Sequence, residues 1–230
     1  MTQKIHPANL RLGIIQLWNN TIQPYGNFKY CYNKLLYNNF YLLYFIVQYS
    51  KKTSLIISKP TFKYKSNKIN FVIEYRLGST LSKKNSIKII NFFTNKIQSL
   101  SLLKLNTCYY LVSTWCSNAM IWSLYLKFIL KNKVNSQKIL WIIFKFYENY
   151  LNKKKISYNV NGPVHFVLKG FKLKITGRFD NMRSPLTKTM YQTLGLVTLN
   201  SYINKVEFTT VCLYTKNGIC SIKIWFFYSN

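Results

Sequence analysis

Apolar and polar residues alternate along FKLKITGR, residues 171–178, and this period of two predicts a half-buried β-strand. One face of that strand would carry three cations and no acid, namely Lys172, Lys174 and Arg178. The same alternation along ICSIKIWFF, residues 219–227, predicts another strand near the C-terminus. The C-terminal part of the chain is therefore expected to end in a sheet, with at least one strand that has a basic outer face.

Four other segments have apolar residues at helical spacing and are predicted helices: 28–49, 86–98, 110–130 and 136–151. Ser136 is suited to cap the last of them. Further strands are predicted at 54–58, 69–76, 101–106, 187–193 and 197–207. A basic segment, 59–68, joins the first two, and a loop is predicted at 156–170. The order is helix, strand, strand, helix, strand, followed by two helices and an antiparallel sheet. The predicted fold class is therefore α+β in two lobes.

One uncharged run, residues 105–126, is long enough to span a bilayer. Polar residues such as Ser113, Thr114 and Asn118 recur through its middle, where a polar group in lipid costs most. We therefore favour the end of a strand followed by a buried helix. A single-span membrane subunit is the alternative that this run leaves open.

The charge of the chain changes this picture most. Its 230 residues contain 33 Lys and Arg but only four acids, which gives a formal net charge of +29. Such an excess cannot be neutralised within the chain, and it favours a polyanionic partner, either nucleic acid or an anionic lipid surface. The alternative is a soluble protein that is basic without such a partner. Apolar residues make up 49% of the chain, so it can still bury a core.

Catalytic patterns are missing from the sequence. Its two histidines and four acids are widely scattered, and it contains neither G-x-S-x-G nor a Gly-rich phosphate loop. The five cysteines form no C-x-x-C pair and are spaced too widely for a zinc knuckle. We therefore predict no enzymatic activity, no metal, no cofactor and no small-molecule substrate.

Residues 3–21, QKIHPANLRLGIIQLWNNT, resemble the start of the universal small-subunit ribosomal protein S-three family. That family opens with Gln-Lys-Val-His-Pro, followed by Arg-Leu-Gly-Ile and a Trp-Asn pair, in the same order and spacing. KGFKLKITGR, residues 169–178, is similar to the family's basic strand, which ends in Gly-Arg. SIKIWFF near the C-terminus is similar to its last strand, so the resemblance covers most of the chain.

The resemblance implies a type II KH domain followed by an α+β domain, in the head of the small subunit near the site where mRNA enters. We assign residues 1–24 to a basic N-terminal arm and residues 25–107 to a KH-like RNA-binding domain. Residues 108–230 form the C-terminal domain, with two helices and an antiparallel sheet.

The family's KH loop carries glycines on both sides of two lysines, and the matching stretch here is GSTLSKKN, which begins at Gly78. Ser82 and Asn85 replace the loop glycines, while Lys83 and Lys84 are kept. Glycine allows RNA backbone to approach closely, so its loss predicts a degenerate KH-like domain whose loop contributes charge alone.

Charge and resemblance together predict binding to small-subunit rRNA, for which lysine is well suited because a point charge adapts to irregular phosphates. The candidate RNA-binding residues are cations and one histidine: Lys4, His6, Arg11, Lys83, Lys84, Lys127, Lys131, Lys138, Lys145, Lys169, Lys172, Lys174, Arg178, Arg183 and Lys188. The other predicted partners are mRNA where it enters the subunit and neighbouring small-subunit ribosomal proteins. No stable membrane insertion is expected.

Composition also bears on location. The chain is rich in Asn, Lys, Ile, Tyr and Phe, which share A/T-rich codons, and it starts on the family motif without a presequence. These features predict an organelle-encoded protein of the mitochondrial ribosome, in the matrix, with a plastid-type organelle as the alternative. An RNA-binding factor that acts off the ribosome is the remaining rival.

Overall fold

A computed structural model of the chain describes residues 5–18, 32–52, 55–65, 68–77, 83–100, 104–112, 118–131, 136–159, 162–178, 186–215 and 217–229. The chain forms two compact units. The middle unit is Asn19–Thr114, and the C-terminal unit combines Met1–Trp18 with Trp115–Asn230. The predicted α+β fold class is confirmed, with an antiparallel sheet after the last two helices.

The middle unit packs two helices against a small sheet. Its elements are α1 (Tyr32–Lys52), β1 (Leu55–Ile57), β2 (Thr61–Lys65), β3 (Lys68–Leu77), α2 (Lys83–Leu100) and β4 (Lys104–Leu111). Strand β3 is central, because it pairs antiparallel with β1 and β2 and parallel with β4. The helices contribute residues at helical spacing to a core that also contains Phe62, Phe71 and Ile73.

The basic segment 59–68, predicted only as the connection between two strands, contains a further strand, β2, over residues 61–65. Phe62 is fully buried there and packs on Phe71 of β3, with ring centroids 4.9 Å apart. The alternation TFKYK places this phenylalanine on the core face, and its burial outweighs the loop preference of the flanking lysines and Pro60.

The C-terminal unit places two helices on one face of a five-stranded antiparallel sheet. Its elements are α3 (Ala119–Lys131), α4 (Ser136–Glu148), β5 (Lys154–Asn159), β6 (Gly162–Gly177), β7 (Lys188–Gly195), β8 (Lys205–Thr215) and β9 (Gly218–Ser229). Strand β6 pairs with β9 along one edge, and β9 pairs with β8. The other edge of β6 is shared by β5 and then β7.

Two loop boundaries in this unit differ from the sequence prediction. Residues 156–159 and 162–170, predicted as parts of one loop, belong to the paired antiparallel strands β5 and β6. The strand predicted over 197–207 begins only at Lys205. A β-bulge interrupts β6 near Gly170, where a Cβ atom would come within 1.9 Å of the Leu196 carbonyl oxygen, so glycine alone fits.

The core of the C-terminal unit lies between the helices and the apolar sheet face. Trp122, Leu126, Ile143 and Tyr147 of the helices are buried against alternating residues of β6 and β9, and the Tyr147 ring stacks 3.8 Å from that of Phe171. The uncharged run 105–126 includes most of β4 and the first part of α3, as predicted in outline, but β4 continues to Leu111 and the helix begins at Ala119 rather than at residue 110. Within the described part of the chain, no helix is long and apolar enough to cross a membrane.

Glu207 lies on the helix side of the sheet, where its carboxylate links β8 to α3 and to β5. Its carboxylate accepts a hydrogen bond from Lys155 Nζ at 2.8 Å and lies 3.9 Å from Lys205 Nζ. It also accepts from the backbone of Ala119, the first residue of α3, where an anion is favourable. Burial alone would raise the pKa of Glu207, but the two lysines and these hydrogen bonds hold that pKa below its ordinary value.

The N-terminal segment 5–18 belongs to the C-terminal unit because Arg11 joins it to the loop before β8. Arg11 is fully buried. Its guanidinium donates to the carbonyl oxygens of Pro7, Leu199, Ser201 and Asn204, at 2.7 to 2.9 Å. These bonds explain why 199–204 do not continue the strand, since their carbonyls serve the arginine. Burial lowers the pKa of Arg11, although an arginine stays protonated at neutral pH.

We expect Arg11→Lys to lower the free energy of unfolding by about 2–4 kcal/mol, because lysine keeps the charge but cannot reach four carbonyls with a planar fork. Urea denaturation of the full chain measures this change. Arg178→Lys is the matched control, since Arg178 is exposed in the same unit, and it should change stability by less than about 0.5 kcal/mol. Equal effects of the two substitutions would contradict the role assigned to Arg11.

A second prediction concerns pH. Because the folded pKa of Glu207 is depressed, its stabilising contribution is complete above the pKa of an unfolded glutamate and is lost as the pH falls through the folded value. Glu207→Gln should therefore destabilise the chain by about 1–3 kcal/mol at pH 7. The difference between the two proteins should shrink below about pH 4.3. A pH-independent difference would contradict this prediction.

Candidate nucleic-acid interface

The sheet face opposite α3 and α4 carries three rows of side chains that run across strands β7, β6, β9 and β8. In strand order, the rows are Thr193–Lys172–Trp225–Phe208, Tyr191–Lys174–Lys223–Thr210 and Thr189–Thr176–Ser221–Cys212. Residues in register on neighbouring strands point to the same side, and successive rows lie about 7 Å apart. We call these three rows the basic platform.

Three lysines cluster at the centre of the platform. Lys174 of β6 lies directly opposite Lys223 of β9, and Lys172 lies one row away on β6. Like charges directly opposite each other destabilise a sheet. The rows themselves contain no acid, and Glu207, which follows Val206 on β8, lies on the helix side with Lys155. The platform therefore offers concentrated positive charge that an external anion can neutralise.

Aromatic side chains flank the lysines. The Trp225 ring lies 4.9 Å from that of Phe208, measured between centroids, and Lys172 Nζ stands 5.5 Å from the Trp225 centroid. His6 from the N-terminal segment packs edge-on against Phe208 at 4.8 Å. Tyr191, next to Lys174, is 69% exposed. In the third row, the hydroxyls of Thr176 and Ser221 hydrogen-bond to each other.

The structure brings only some of the predicted RNA-binding residues to this surface. Lys172 and Lys174 lie on the platform, and His6 lies at its Phe208 edge. Arg178 follows the end of β6, where it is exposed. Lys188 is exposed at the start of β7, and Lys169 lies at the bulge of β6 with its Nζ 3.2 Å from Asn152 Oδ1.

The helix cations lie on the other side of the sheet, because α3 and α4 cover its apolar face. Lys127 is half-buried on α3, and Lys145 is exposed on α4 with its Nζ 3.8 Å above the Trp141 ring. Lys131 and Lys138 belong to the same helices, with only their backbone described. None of these four residues is brought together with the platform.

Arg11 and the remaining candidates fall elsewhere. Arg11 is buried and its guanidinium is engaged by four carbonyls, so it acts inside the protein and does not face a phosphate. Lys83 and Lys84 start α2 in the middle unit, where only their backbone is described. Lys4 and Arg183 lie outside the described residues.

Sequence reasoning missed Lys223, Trp225 and Tyr191 as members of the site. The alternation in β9 already separates Lys223 and Trp225 from the apolar positions. That pattern does not predict which strand Lys223 and Trp225 lie beside. Their neighbours are set by the pairing of β6 with β9, which are separated by about fifty residues of chain. Tyr191 carried no charge and therefore gave no signal.

Comparison with known proteins places the chain in a family. No protein-family model matches it. The chain is 31% identical to the small ribosomal subunit protein uS3m of Chondrus crispus, and the match covers 100% of this chain and 95% of that protein. It is 26% identical to uS3 of Blochmanniella floridana, over 99% of this chain and 86% of the relative. With uS3 of Baumannia cicadellinicola subsp. Homalodisca coagulata it shares 23% identity over 99% and 87%.

The match to the Chondrus crispus protein spans the whole of this chain and meets it at 31% identity, and the family motifs noted in the sequence lie at both ends of the same chain. The chain therefore belongs to the uS3 family of small ribosomal subunit proteins.

Proposed function

We propose that this chain is a structural, non-catalytic constituent of the mitochondrial small ribosomal subunit, where it binds rRNA in the head. The observation that carries the proposal is the pairing of Lys174 with Lys223, with Lys172 beside them, in three rows of side chains that contain no acid. Such a cluster is costly in a free protein and favourable against phosphates. A net charge of +29 supports the same partner, because the particle around it supplies the missing negative charge.

A mitochondrial location is supported by the relative named uS3m, which aligns with the whole chain, and by the bias toward residues with A/T-rich codons. The same relative favours a ribosomal component over the two rivals, a membrane subunit and an RNA-binding factor that acts off the ribosome. We also propose neighbouring small-subunit ribosomal proteins as partners.

For the middle unit we propose a degenerate KH-like role near the site where mRNA enters. Its helix α2 begins at Lys83, where the family resemblance puts the end of the KH loop. A helix start followed by two lysines suits an RNA phosphate, since the first turn presents free backbone N–H groups. The position in the head that the family resemblance implies would bring mRNA within reach of this unit.

The salt dependence of RNA binding tests the role of the platform. The triple variant Lys172→Gln, Lys174→Gln, Lys223→Gln removes three phosphate-facing charges. We expect the slope of log affinity against log salt concentration, measured by filter binding to small-subunit rRNA, to decrease by about 2 in magnitude. The matched control converts Lys88, Lys96 and Lys104, exposed lysines of the middle unit, to Gln. An equal change in both triple variants would show that total charge, and not the platform, determines binding.

Incorporation into the subunit is a further test. Reversal of Lys172, Lys174 and Lys223 to Glu places three acids against rRNA and should reduce co-migration with the small subunit in a sucrose gradient by at least about tenfold. The fold should persist, because all three side chains lie off the apolar face. Normal incorporation of the charge-reversed chain would refute the proposed RNA-facing platform, and a wild-type chain that never co-migrates would refute the ribosomal role.

A further inference from the structure

We propose that the basic platform binds an unpaired segment of RNA, whose bases stack on Trp225 and Tyr191 and whose phosphates lie on the three central lysines. The inference rests on the proposed function, because it takes RNA as the polyanion. It adds the class of RNA that the surface selects, and it gives a role to two aromatic residues that phosphate binding alone leaves without one.

Trp225 is held in a fixed place on the platform. Phe208 supports it from β8 at 4.9 Å, and His6 supports Phe208 in turn. Lys172 Nζ lies 5.5 Å from the Trp225 centroid, whereas Lys145 Nζ sits only 3.8 Å above the ring of Trp141. Lys172 is therefore near the outer limit of a cation–π contact with Trp225, and it does not cover the face of the indole ring. A base can stack on that face while the lysine contacts its phosphate.

Tyr191 provides a second aromatic surface on the other side of the lysines. It is 69% exposed and lies in the same row as Lys174 and Lys223. Single exposed aromatic residues are common on protein surfaces and do not by themselves indicate a binding site. Here the ring is in register with the two paired lysines, and Trp225 lies two strands and one row away. The lysines therefore lie between two aromatic residues on one sheet face.

The chemistry of this arrangement favours unpaired RNA over a duplex. A-form duplexes hide the faces of their bases and offer phosphates and 2′-hydroxyls, which would engage the lysines but leave both rings without partners. Unpaired nucleotides offer both charge and base faces, and aromatic residues on open sheets bind them by stacking. An apolar protein surface is disfavoured, because docking it here would bury Lys174 and Lys223 against each other without a counter-charge.

The full chain can be tested by fluorescence anisotropy with two labelled probes at equal salt: a 12-nucleotide oligouridylate and a blunt 12-base-pair RNA duplex. We expect Trp225→Leu and Tyr191→Leu each to weaken binding of the single strand about tenfold, because each removes one stacking surface. Duplex affinity should stay within about twofold, since the lysines remain. Trp225→Phe and Tyr191→Phe keep a ring and should retain most of the single-strand affinity.

Trp141→Leu is the matched control, because Trp141 is an exposed tryptophan on α4 that also lies beside a lysine, yet it is off the platform. It should leave both affinities unchanged. The chain has five tryptophans, so oligouridylate should quench the share of the intrinsic fluorescence that Trp225 contributes, and quenching should be clearly smaller in Trp225→Phe than in the wild-type chain. This quenching comparison decides the matter even if the leucine variants fail to fold.

Equal losses for duplex and single strand in a folded Trp225→Leu chain, or no loss for either probe, would overturn the inference. Unchanged quenching in Trp225→Phe would overturn it as well. If instead the proposed rRNA binding is wrong, the result differs from these. The wild-type chain would then bind neither probe, or would bind both without dependence on Lys172, Lys174 and Lys223. Tight, lysine-dependent duplex binding with no effect of either ring would refute the stacking while leaving rRNA binding intact.

Discussion

The pairing of β6 with β9 sets the properties of both faces of the C-terminal sheet. In this register Leu173 meets Ile224 on the helix side, and Lys174 meets Lys223 on the opposite side. The apolar face gains the packing energy of α3 and α4. On the other face Lys174 and Lys223 repel each other, and the three rows of the platform contain no acid to offset that repulsion. A shift by one residue would exchange the two faces and bury the lysines, so the hydrophobic core is what keeps the charges together.

Two charged groups inside the C-terminal unit, the partly buried Glu207 and the buried Arg11, help to explain how such a basic chain folds. Glu207 lies among Lys155, Lys205 and the start of α3. Its negative charge is therefore paired inside the unit and is not part of the platform. Arg11 is buried, and within the described part of the chain its guanidinium is met by carbonyl oxygens of two segments and by no carboxylate. It fixes the N-terminal segment, which in turn brings His6 to the Phe208 edge of the platform. Charges inside the unit thus stabilise the fold, while those on the platform stay available to an external anion.

Sequence patterns predicted much of this fold where periodicity was strong. The two faces of β6, the helical faces of α2 and α4, and the α+β order followed from alternation and helical spacing. Residues 61–65 and 156–170 were missed because their strands depend on partners, with Phe62 requiring Phe71 and β5 requiring β6. Three residues of the platform were likewise not predicted. Lys172 and Lys174 were visible as a charged face, but Lys223, Trp225 and Tyr191 join them only through pairing. Arg11 looked like an RNA contact because charge alone does not reveal burial.

A density map of the intact small subunit that contains this chain tests the central claim most directly. The measurement is the distance from Lys174 Nζ and Lys223 Nζ to the nearest atom of the surrounding particle. Our account predicts rRNA phosphate oxygens within about 4 Å of both amines, the range of a direct ion pair. A platform that faces open solvent, or that lies against an apolar surface of a neighbouring protein, would contradict it.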